Sequence, residues 1–333
     1  MEGMVPVAVH QKDDLLISLV LACYNEDAVF PSLQDALVRL SDTLEREYRV
    51  EIILVDDGSR DGTWRKMQSF AEMDYRVKAL SLSRNFGHQL ALTCGYDWAR
   101  GDAVVSMDAD LQDPPEVVLE MVAKWREGFD VVIAVRKQRE TDTLFKRWTA
   151  TAFYRLIRWM GALQVREEAA DFRLMNRQSL DALLQMRETH RFIRGMVGWV
   201  GFRTTEVYFE REPRRAGETK YPLRKMLRFA TDGIISFSSF PLRVAYWMAL
   251  VLMLLSFGYL GYNLMLHFVW KGHLVPGWAS LLVVIIAFGT MNLICLGLMG
   301  EYIGRLYEQV KQRPLYVVRR VIGSRIEPVE KRS

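Results

Sequence analysis

Four apolar runs in the first third of the chain are each followed at once by a polar cluster. The clusters are Tyr24-Asn25-Glu26, Asp56-Asp57-Gly58-Ser59, Ser83-Arg84-Asn85-Phe86-Gly87 and Asp108-Ala109-Asp110-Leu111-Gln112-Asp113. One acidic cluster alone is a common turn composition. Four clusters at the same place after successive runs instead indicate a ligand-binding edge, because open α/β sheets bind ligands at the carboxyl ends of their strands.

Asp108 and Asp110 carry the most specific chemistry of these clusters. Residues two apart in an extended chain point the same way, so the two carboxylates repel unless a cation lies between them. Oxygen ligands suit Mg²⁺ or Mn²⁺, which also hold substrate phosphates, and Gln112 adds a neutral oxygen. The sequence therefore predicts a divalent-metal site on Asp108, Asp110 and Gln112. The alternative is a solvated turn closed by Pro114 and Pro115.

Alternating strand and helix patterns position these clusters. The predicted strands are Leu15–Ala22, Val50–Val55, Val77–Leu82, Ala103–Met107 and Val131–Val135, and the predicted helices are Phe30–Glu47, Thr63–Met73, Gln89–Arg100 and Pro115–Glu127. This alternation predicts the α/β class, with a mostly parallel sheet covered by helices. The first strand is followed by no Gly-x-Gly-x-x-Gly, and no P-loop motif is present, which argues against a dinucleotide oxidoreductase and a P-loop nucleotidase.

Composition excludes several other classes of protein. Half of the 333 residues are apolar, so the chain is not a disordered one. Three scattered cysteines are too few for a disulfide framework. A net charge of +4 is too mild to indicate nucleic acid as a partner.

Two long uncharged stretches near the C-terminus predict a membrane hairpin. No Lys, Arg, Asp or Glu occurs in the 27 residues between Arg243 and Lys271, or in the 29 residues between Lys271 and Glu301. A helix needs roughly 20 apolar residues to cross a bilayer. We therefore expect transmembrane helices over Leu242–Trp270 and Pro276–Tyr302, with a pair of buried core helices as the alternative.

Basic residues on both sides of this hairpin predict its orientation. Residues 211–228 contain seven Lys/Arg and two Asp/Glu, and residues 305–325 contain six and one. Both termini are then expected in the cytoplasm. Helical spacing of apolar residues over 223–235 predicts an amphipathic helix on the membrane surface, or an ordinary surface helix. The expected organisation is a catalytic domain at 1–210, a juxtamembrane segment at 211–241, two transmembrane helices at 242–303 and a basic tail at 304–333.

These motifs resemble the inverting GT-A glycosyltransferases of family 2, and most closely their polyprenyl-phosphate branch. The resemblance rests on Asp56-Asp57-Gly58-Ser59, Asp108-Ala109-Asp110 and Gln112-Asp113-Pro114-Pro115. Further along the chain it rests on Asp171-Phe172-Arg173-Leu174-Met175, on Ala216-Gly217-Glu218-Thr219-Lys220-Tyr221 with Arg214, on Gly300-Glu301-Tyr302-Ile303-Gly304-Arg305 and on Arg313-Pro314-Leu315-Tyr316. The similarity covers about residue 15 to residue 320.

The resemblance implies a GT-A fold and transfer of a sugar from a nucleotide donor to a polyprenyl phosphate such as undecaprenyl phosphate. UDP-glucose is the favoured donor and Mg²⁺ or Mn²⁺ the cofactor. Tyr24, Glu26 and Asp57 would line the nucleotide pocket, and the neighbouring candidates are Asn25, Asp56, Ser59, Asn85 and Asp108. The protein would lie in the bacterial inner membrane, in contact with the lipid bilayer, as a homo-oligomer with a tetramer as one form.

Catalytic and acceptor-binding candidates follow from this reaction. A metal on Asp108 and Asp110 neutralises the leaving diphosphate, which makes Asp110 a catalytic candidate. Asp171 is a candidate base, with a structural or sugar-binding role as the alternative. An anionic acceptor needs cations, and the candidates are Arg136, Arg139, Lys146, Arg147, Arg173, Arg214, Arg215 and Lys220.

Three alternative functions remain open from the sequence. The donor can instead be GDP-mannose, UDP-galactose or a UDP-amino sugar. A processive polysaccharide synthase is disfavoured, because the Gln-x-x-Arg-Trp motif is missing: Leu144 stands where Gln would precede Arg147-Trp148. A non-catalytic membrane scaffold or flippase partner would not need Asp108 and Asp110.

Overall fold

The computed structural model describes residues 15–136, 169–210, 240–270 and 278–323. These residues form two compact units, one of residues 15–136, 169–210 and 314–323, the other of residues 240–270 and 278–313. The amphipathic helix expected at 223–235 lies outside the described residues, and so do six candidate phosphate ligands: Arg139, Lys146, Arg147, Arg214, Arg215 and Lys220. These stay predictions.

The first unit is built on an eight-stranded sheet in the order β7-β5-β6-β4-β1-β2-β3-β8. Its strands are β1 Leu16–Cys23, β2 Arg49–Asp56, β3 Val77–Leu82, β4 Ala103–Asp108, β5 Val131–Arg136, β6 Ala169–Asn176, β7 Thr204–Phe209 and β8 Val318–Gly323. β1 pairs parallel with β2 and β4, β2 with β3, and β5 with β7. β6 and β8 run antiparallel to their neighbours. The predicted α/β fold with a mostly parallel sheet is confirmed.

Helices cover both faces of this sheet. They are α1 Phe30–Leu44, α2 Thr63–Met73, α3 His88–Trp98, α4 Val117–Arg126, α5 Arg177–Gln185 and α6 Ile193–Val200. On one face, Leu19 of β1 and Leu33 of α1 belong to the main buried core. On the other face α3 lies so close to β1 that a Cβ on Gly95 would overlap the side chain of Val20. Each of these large apolar side chains contributes about 1.5–3 kcal/mol on burial.

The five predicted strands and four predicted helices of the first unit are present, with bounds within three residues of the expected ones. Three strands are additions that the sequence pattern did not predict: β6, β7 and β8. The strand farthest along the chain is β8, which lies in the segment expected to be a basic tail and pairs with β3. The tail is therefore partly a component of the sheet.

The second unit contains two long apolar helices, α7 Phe240–Trp270 and α8 Trp278–Val310. α8 was expected to end at Tyr302 but continues to Val310, and Arg305 forms an i,i+4 ion pair with Glu301 at 3.1 Å in the added turns. By length and composition, Val284–Val310 is able to cross a membrane, and α7 contains a shorter apolar segment, Val244–Tyr259.

Large apolar side chains are exposed on both helices of this unit. Leu255 on α7 is 64% exposed and Leu293 on α8 is 72% exposed. A helix that is apolar all round is either buried in a protein core or immersed in lipid. Since the described side chains are mostly exposed, the alternative of two buried core helices is disfavoured.

Candidate active site

The polar clusters that follow β1, β2, β3 and β4 meet at one edge of the sheet. The strand register places Cys23 beside Asp56, Asp56 beside Ser81, and Ala22 beside Asp108. These strands are parallel and aligned, so their carboxyl ends bring the clusters into one row. The predicted convergence of the four clusters at one edge of the sheet is confirmed.

A cavity of about 360 Å³ opens at the β2–β3 side of this edge. Its lining includes four of the predicted nucleotide-binding residues, Tyr24, Asp56, Ser59 and Asn85, together with the guanidinium-bearing residues Arg60, Arg84, Arg319 and Arg320. We call this cavity the arginine cleft. The lining contains four arginines and one carboxylate, so the cleft suits a ligand rich in hydrogen-bond acceptors or negative charge.

A tightly bonded loop shapes the floor of the arginine cleft. Asp56 accepts hydrogen bonds from the Ser59 amide at 3.0 Å and the Ser81 hydroxyl at 3.1 Å. Asn25 has a φ of 56° and accepts a hydrogen bond from the Arg60 amide at 2.9 Å. Gly58 has a φ of 72°, and a Cβ there would lie 2.6 Å from the Arg84 backbone. Glycine is therefore required where this loop passes the one after β3.

Four predicted nucleotide-binding residues lie outside the cleft lining: Asn25, Glu26, Asp57 and Asp108. The Asp57 carboxylate accepts hydrogen bonds from the amides of Phe86 at 2.7 Å and Gly87 at 2.9 Å. Burial raises the pKa of Asp57 above its usual value, against the opposing effect of these bonds. The Glu26 amide donates to the Thr63 hydroxyl at 2.8 Å. In this structure Asp57 fixes the loop after β3.

The Asp108 carboxyl group lies at the end of β4 among other acids. Burial raises the pKa of Asp108 above its usual value, and the charges of Asp171, Asp110 and Asp113 raise it further, although His88 lowers it. A carboxylate in such surroundings is costly to keep ionised without an added cation. An added cation beside Asp108 would offset that cost.

Asp110 and Gln112 lie in the turn after β4. The Asp110 carboxylate accepts a hydrogen bond from the Gln112 amide at 3.1 Å, and Leu111 between them has a φ of 53°. Gln112 is buried, and its side-chain nitrogen has no hydrogen-bond partner among the described residues. Within the described ranges no group of three or more His, Cys, Asp or Glu residues could hold a metal. A metal here would need ligands from a substrate, which is the usual way Mg²⁺ is held.

His88 connects the two acidic strands, and sequence reasoning missed it. Its Nε2 lies 3.6 Å from Asp108 Oδ1 and 3.6 Å from Asp171 Oδ2. Burial would lower the pKa of His88, but the nearby carboxylates of Asp171 and Asp108 raise it above the usual value. The available signal was its position directly after Gly87, where α3 begins beyond the third polar cluster.

Asp171 on β6 is surrounded by cations. Its Oδ1 accepts from Arg173 at 2.8 Å and from Arg194 Nε at 3.0 Å, and its Oδ2 accepts from Arg194 Nη2 at 3.2 Å and Gln89 at 3.3 Å. Burial alone would raise the pKa of Asp171, but His88, Arg173 and Arg194 hold it well below its usual range. Arg194 was also missed from the sequence, because it comes from α6 and only the fold brings it here.

The two described candidates for binding an acceptor phosphate differ in access. Arg136 ends β5, its side chain is 34% exposed, and its Nη2 lies 3.2 Å from an oxygen of Asp113. Arg173 is 2% exposed and paired with Asp171. In this structure the Arg173 guanidinium is buried against Asp171, and its predicted contact with an acceptor phosphate stays a prediction.

Two family models match the chain over most of the described residues. The model "Glycosyl transferase family 2" matches residues 18–184, and "GtrB C-terminal hairpin" matches residues 240–306. The first match contains β1 to β6, and the second contains α7 and most of α8.

Similar proteins match almost from end to end. "Uncharacterized glycosyltransferase YkcC" of Bacillus subtilis is 43% identical over 92% of this chain and 94% of its own. "Bactoprenol glucosyl transferase" of Shigella phage SfII is 40% identical over 91% and 97%. Among solved structures, mannosyl-3-phosphoglycerate synthase from Rubrobacter xylanophilus matches with a TM-score of 0.45, 20% identity, and coverage of 66% and 71%. That structural similarity is too low to carry a functional argument.

Proposed function

From the premise that the chain belongs to glycosyl transferase family 2, we propose that it moves a hexose from a nucleotide sugar to a polyprenyl phosphate. The observation that carries this proposal is the row of strand ends that joins the arginine cleft to Asp108. Full-length similarity to the phage bactoprenol glucosyl transferase supports the acceptor class. Glucose from UDP-glucose is the proposed transfer. A bond forms between an acceptor phosphate oxygen and the sugar C1, and the bond from C1 to the nucleoside diphosphate breaks with inversion.

The donor nucleotide would lie along the row of strand ends. Tyr24, Asp56, Ser59 and Asn85 line the arginine cleft and are proposed to contact the nucleoside. Asn25 and Asp57 hold the surrounding loops through the hydrogen bonds described above, and Glu26 lies at the start of the loop after β1. Asp108 would meet the diphosphate. The nucleoside and the diphosphate would thus lie on opposite sides of β1, because β2 and β3 lie on one side of that strand and β4 on the other.

Asp108, Asp110 and Gln112 are proposed to hold a divalent cation, Mg²⁺ or Mn²⁺. The donor set fits such an ion, because two carboxylates lie close enough for Asp110 to raise the pKa of Asp108. When bound, the ion would neutralise the charge that develops on the leaving diphosphate. Removing either carboxylate should therefore abolish transfer while leaving the buried sheet intact.

Asp171 is proposed to position its neighbours rather than to act as a base. Its lowered pKa makes it a weak proton acceptor, because Arg173 and Arg194 stabilise the ionised form. The acceptor needs little help, since a phosphate monoester with a second pKa of roughly 6 is largely ionised at neutral pH. Asp171 would hold His88 and Arg194 at the sugar end of the site.

The acceptor phosphate is proposed to approach from the side of Arg136. This residue is partly exposed at the end of β5. The basic candidates in residues 137–168 and 211–239 lie outside the described residues and remain proposals. The exposed apolar helices α7 and α8 support a place in the bacterial inner membrane. The basic residues on both sides of these helices support a cytoplasmic position for the first unit and both termini. A homo-oligomer, such as a tetramer, is part of the same proposal.

A transfer assay on the detergent-solubilised full chain tests this function. The reaction contains undecaprenyl phosphate, Mg²⁺ or Mn²⁺, and one labelled donor at a time: UDP-glucose, UDP-galactose, a UDP-amino sugar or GDP-mannose. Asp110→Asn is the test variant, and Asp35→Asn on the exposed face of α1 is the matched control. We expect labelled lipid from UDP-glucose with the parent and the control, but none with Asp110→Asn.

The other outcomes separate the alternatives. Label from a different donor would retain the reaction class and correct the sugar. Absence of labelled lipid with every donor, together with absence of nucleotide binding, would overturn the enzymatic proposal and favour a scaffold. Full activity of Asp110→Asn would overturn the proposed metal site.

A further inference from the structure

The strand that follows the apolar helices completes the donor end of the sheet. β8 runs antiparallel to β3, with Ile322 opposite Ala79 and Arg320 opposite Ser81. Just before it, the carbonyl oxygen of Val317 accepts a hydrogen bond from the Ser83 amide at 2.9 Å. Ser81 and Ser83 both line the arginine cleft. The last described segment of the chain therefore borders that cleft directly.

A β-bulge in the pairing of β8 with β3 brings two adjacent arginines to the same cavity. Ser81 pairs with Arg320 and Leu82 pairs with Val318, so Arg319 is an extra residue on β8. Regular strands send adjacent side chains to opposite faces, whereas a bulge places two residues opposite one and redirects the strand locally. Both Arg319 and Arg320 line the arginine cleft. The bulge explains how consecutive residues reach one cavity.

Contacts at both ends hold β8 in register. The Tyr316 hydroxyl donates to Asp97 on α3 at 2.7 Å, and Arg187 binds the same carboxylate at 2.7 Å and 3.0 Å. Gly323 at the other end has a φ of 119°, and a Cβ there would overlap the Val77 carbonyl oxygen. The two arginines are thus presented by an anchored strand rather than by a loose tail.

We propose that Arg319 and Arg320 bind the nucleoside half of the donor, an inference that rests on the proposed function. β8 is four strands from β4 in the sheet, and neighbouring strands are about 4.8 Å apart, so roughly 19 Å separates them. A diphosphate held at Asp108 is too far for these arginines to reach, but the base and ribose extend towards them. Guanidinium groups donate to carbonyl and hydroxyl oxygens and stack on aromatic rings.

Competition binding with the full chain tests this inference. The variant is Arg319→Gln with Arg320→Gln, which keeps side-chain length while removing both charges. Arg313→Gln is the matched control, because it is an exposed arginine that precedes β8 in the chain and lies outside the cleft lining. We measure the Kd of UDP by calorimetry in Mn²⁺, with uridine and pyrophosphate as competitors, and follow the melting temperature of each variant.

We expect the double variant to bind UDP and uridine about tenfold more weakly than the parent, by the same factor for both. Its affinity for pyrophosphate and its melting temperature should equal those of the parent. The control should bind all three as the parent does. Unchanged UDP affinity would overturn the inference. Weaker binding of UDP and pyrophosphate with unchanged binding of uridine would also overturn the inference, because the arginines would then contact the phosphates.

Two further observations keep the inference separate from the proposed function and from folding. If the parent transfers sugar and the double variant binds UDP normally, only the inference fails; if the parent neither binds nucleotides nor transfers sugar, both fail. Should the double variant melt early, the single variants Arg319→Lys and Arg320→Lys replace it. These variants keep the positive charge but lose the planar guanidinium donors. If their affinities for uridine and for UDP fall by the same factor, the inference is supported; if both affinities equal those of the parent, it is overturned.

Discussion

Asp108 and Asp171 lie on neighbouring strands and share His88, yet their carboxyl groups have opposite surroundings. Burial raises the pKa of both carboxyl groups. For Asp171, His88, Arg173 and Arg194 outweigh burial and lower the pKa, whereas for Asp108 three nearby acids raise the pKa further. Asp171 has two arginine partners besides His88, whereas Asp108 shares His88 but lies among other acids. The first is therefore suited to hold a structure together, and the second to bind an external cation.

The largest effect that tests this comparison is expected from Asp108→Asn. Transfer should fall by about 10³-fold, because a lost electrostatic contact to a developing charge costs that much. The melting temperature in EDTA should rise slightly. The folded-state pKa of Asp108 is raised, so its ionised form destabilises the fold at neutral pH, and the amide removes that cost.

Initial rates and thermal melting measure both quantities for the parent and the variant. Activity within tenfold of the parent would remove Asp108 from the cation site. A clear fall in melting temperature would show that Asp108 stabilises the fold as Asp171 does, which would break the comparison.

Asp171→Asn should destabilise the fold, in contrast to the slight stabilisation expected from Asp108→Asn. The substitution leaves the buried Arg173 without its carboxylate, and breaking a buried pair costs about 3–5 kcal/mol. Asp181→Asn is the matched control, because Asp181 pairs with Arg177 on the surface of α5 at 3.3 Å, where such pairs contribute about 0.5 kcal/mol or less. Urea unfolding measures the loss in unfolding free energy for both variants, and equal losses would contradict the prediction.

The pH dependence of this stability loss sharpens the comparison. A lowered folded-state pKa means that Asp171 stabilises the fold above its unfolded-state pKa of about 3.9 and loses this contribution as pH falls. The gap in unfolding free energy between the parent and Asp171→Asn should widen as pH falls through the titration of His88, whose pKa Asp171 raises, and should narrow below about pH 4. A gap that narrows already near pH 6 would contradict the lowered pKa.

The smallest effect is expected from Tyr316→Phe, far from both acids. Removing the hydroxyl deletes one hydrogen bond to Asp97, which costs about 1 kcal/mol. The loss should add to that of Asp171→Asn in the double variant, because sites that share no partner behave independently. Unfolding in urea measures all three variants, and a strongly non-additive sum would show that the anchor of β8 and the Asp171 cluster are coupled.

Short-range pattern was enough to predict the strand ends that carry the acids. β1 to β4 read as apolar runs, and the residues after them are polar, so Asp56 and Asp108 could be assigned to one edge. β6 could not be predicted in the same way. It carries Asp171 and Arg173, which the sequence singles out only through the family resemblance, and the ion pairs of Asp171 with Arg173 and Arg194 become visible only in the fold.

The same limit explains why β8 was expected to be a tail. Its sequence has adjacent arginines where a strand would alternate, and only pairing with β3 makes the bulge visible. α8 also ran longer than expected, because its last turns are charged and the apolar pattern had ended. Features that depend on partners distant in the chain need the fold itself.

The position of β8 also imposes an order on folding. During synthesis, β3 leaves the ribosome long before β8, and α7 and α8 are made between them. Until β8 arrives, β3 has an unpaired edge, which is a template for aggregation. Once β8 is in place, the new edge carries two arginines, and charged edges resist pairing with another chain. A truncation after α8 would therefore retain both family matches and yet leave this edge open.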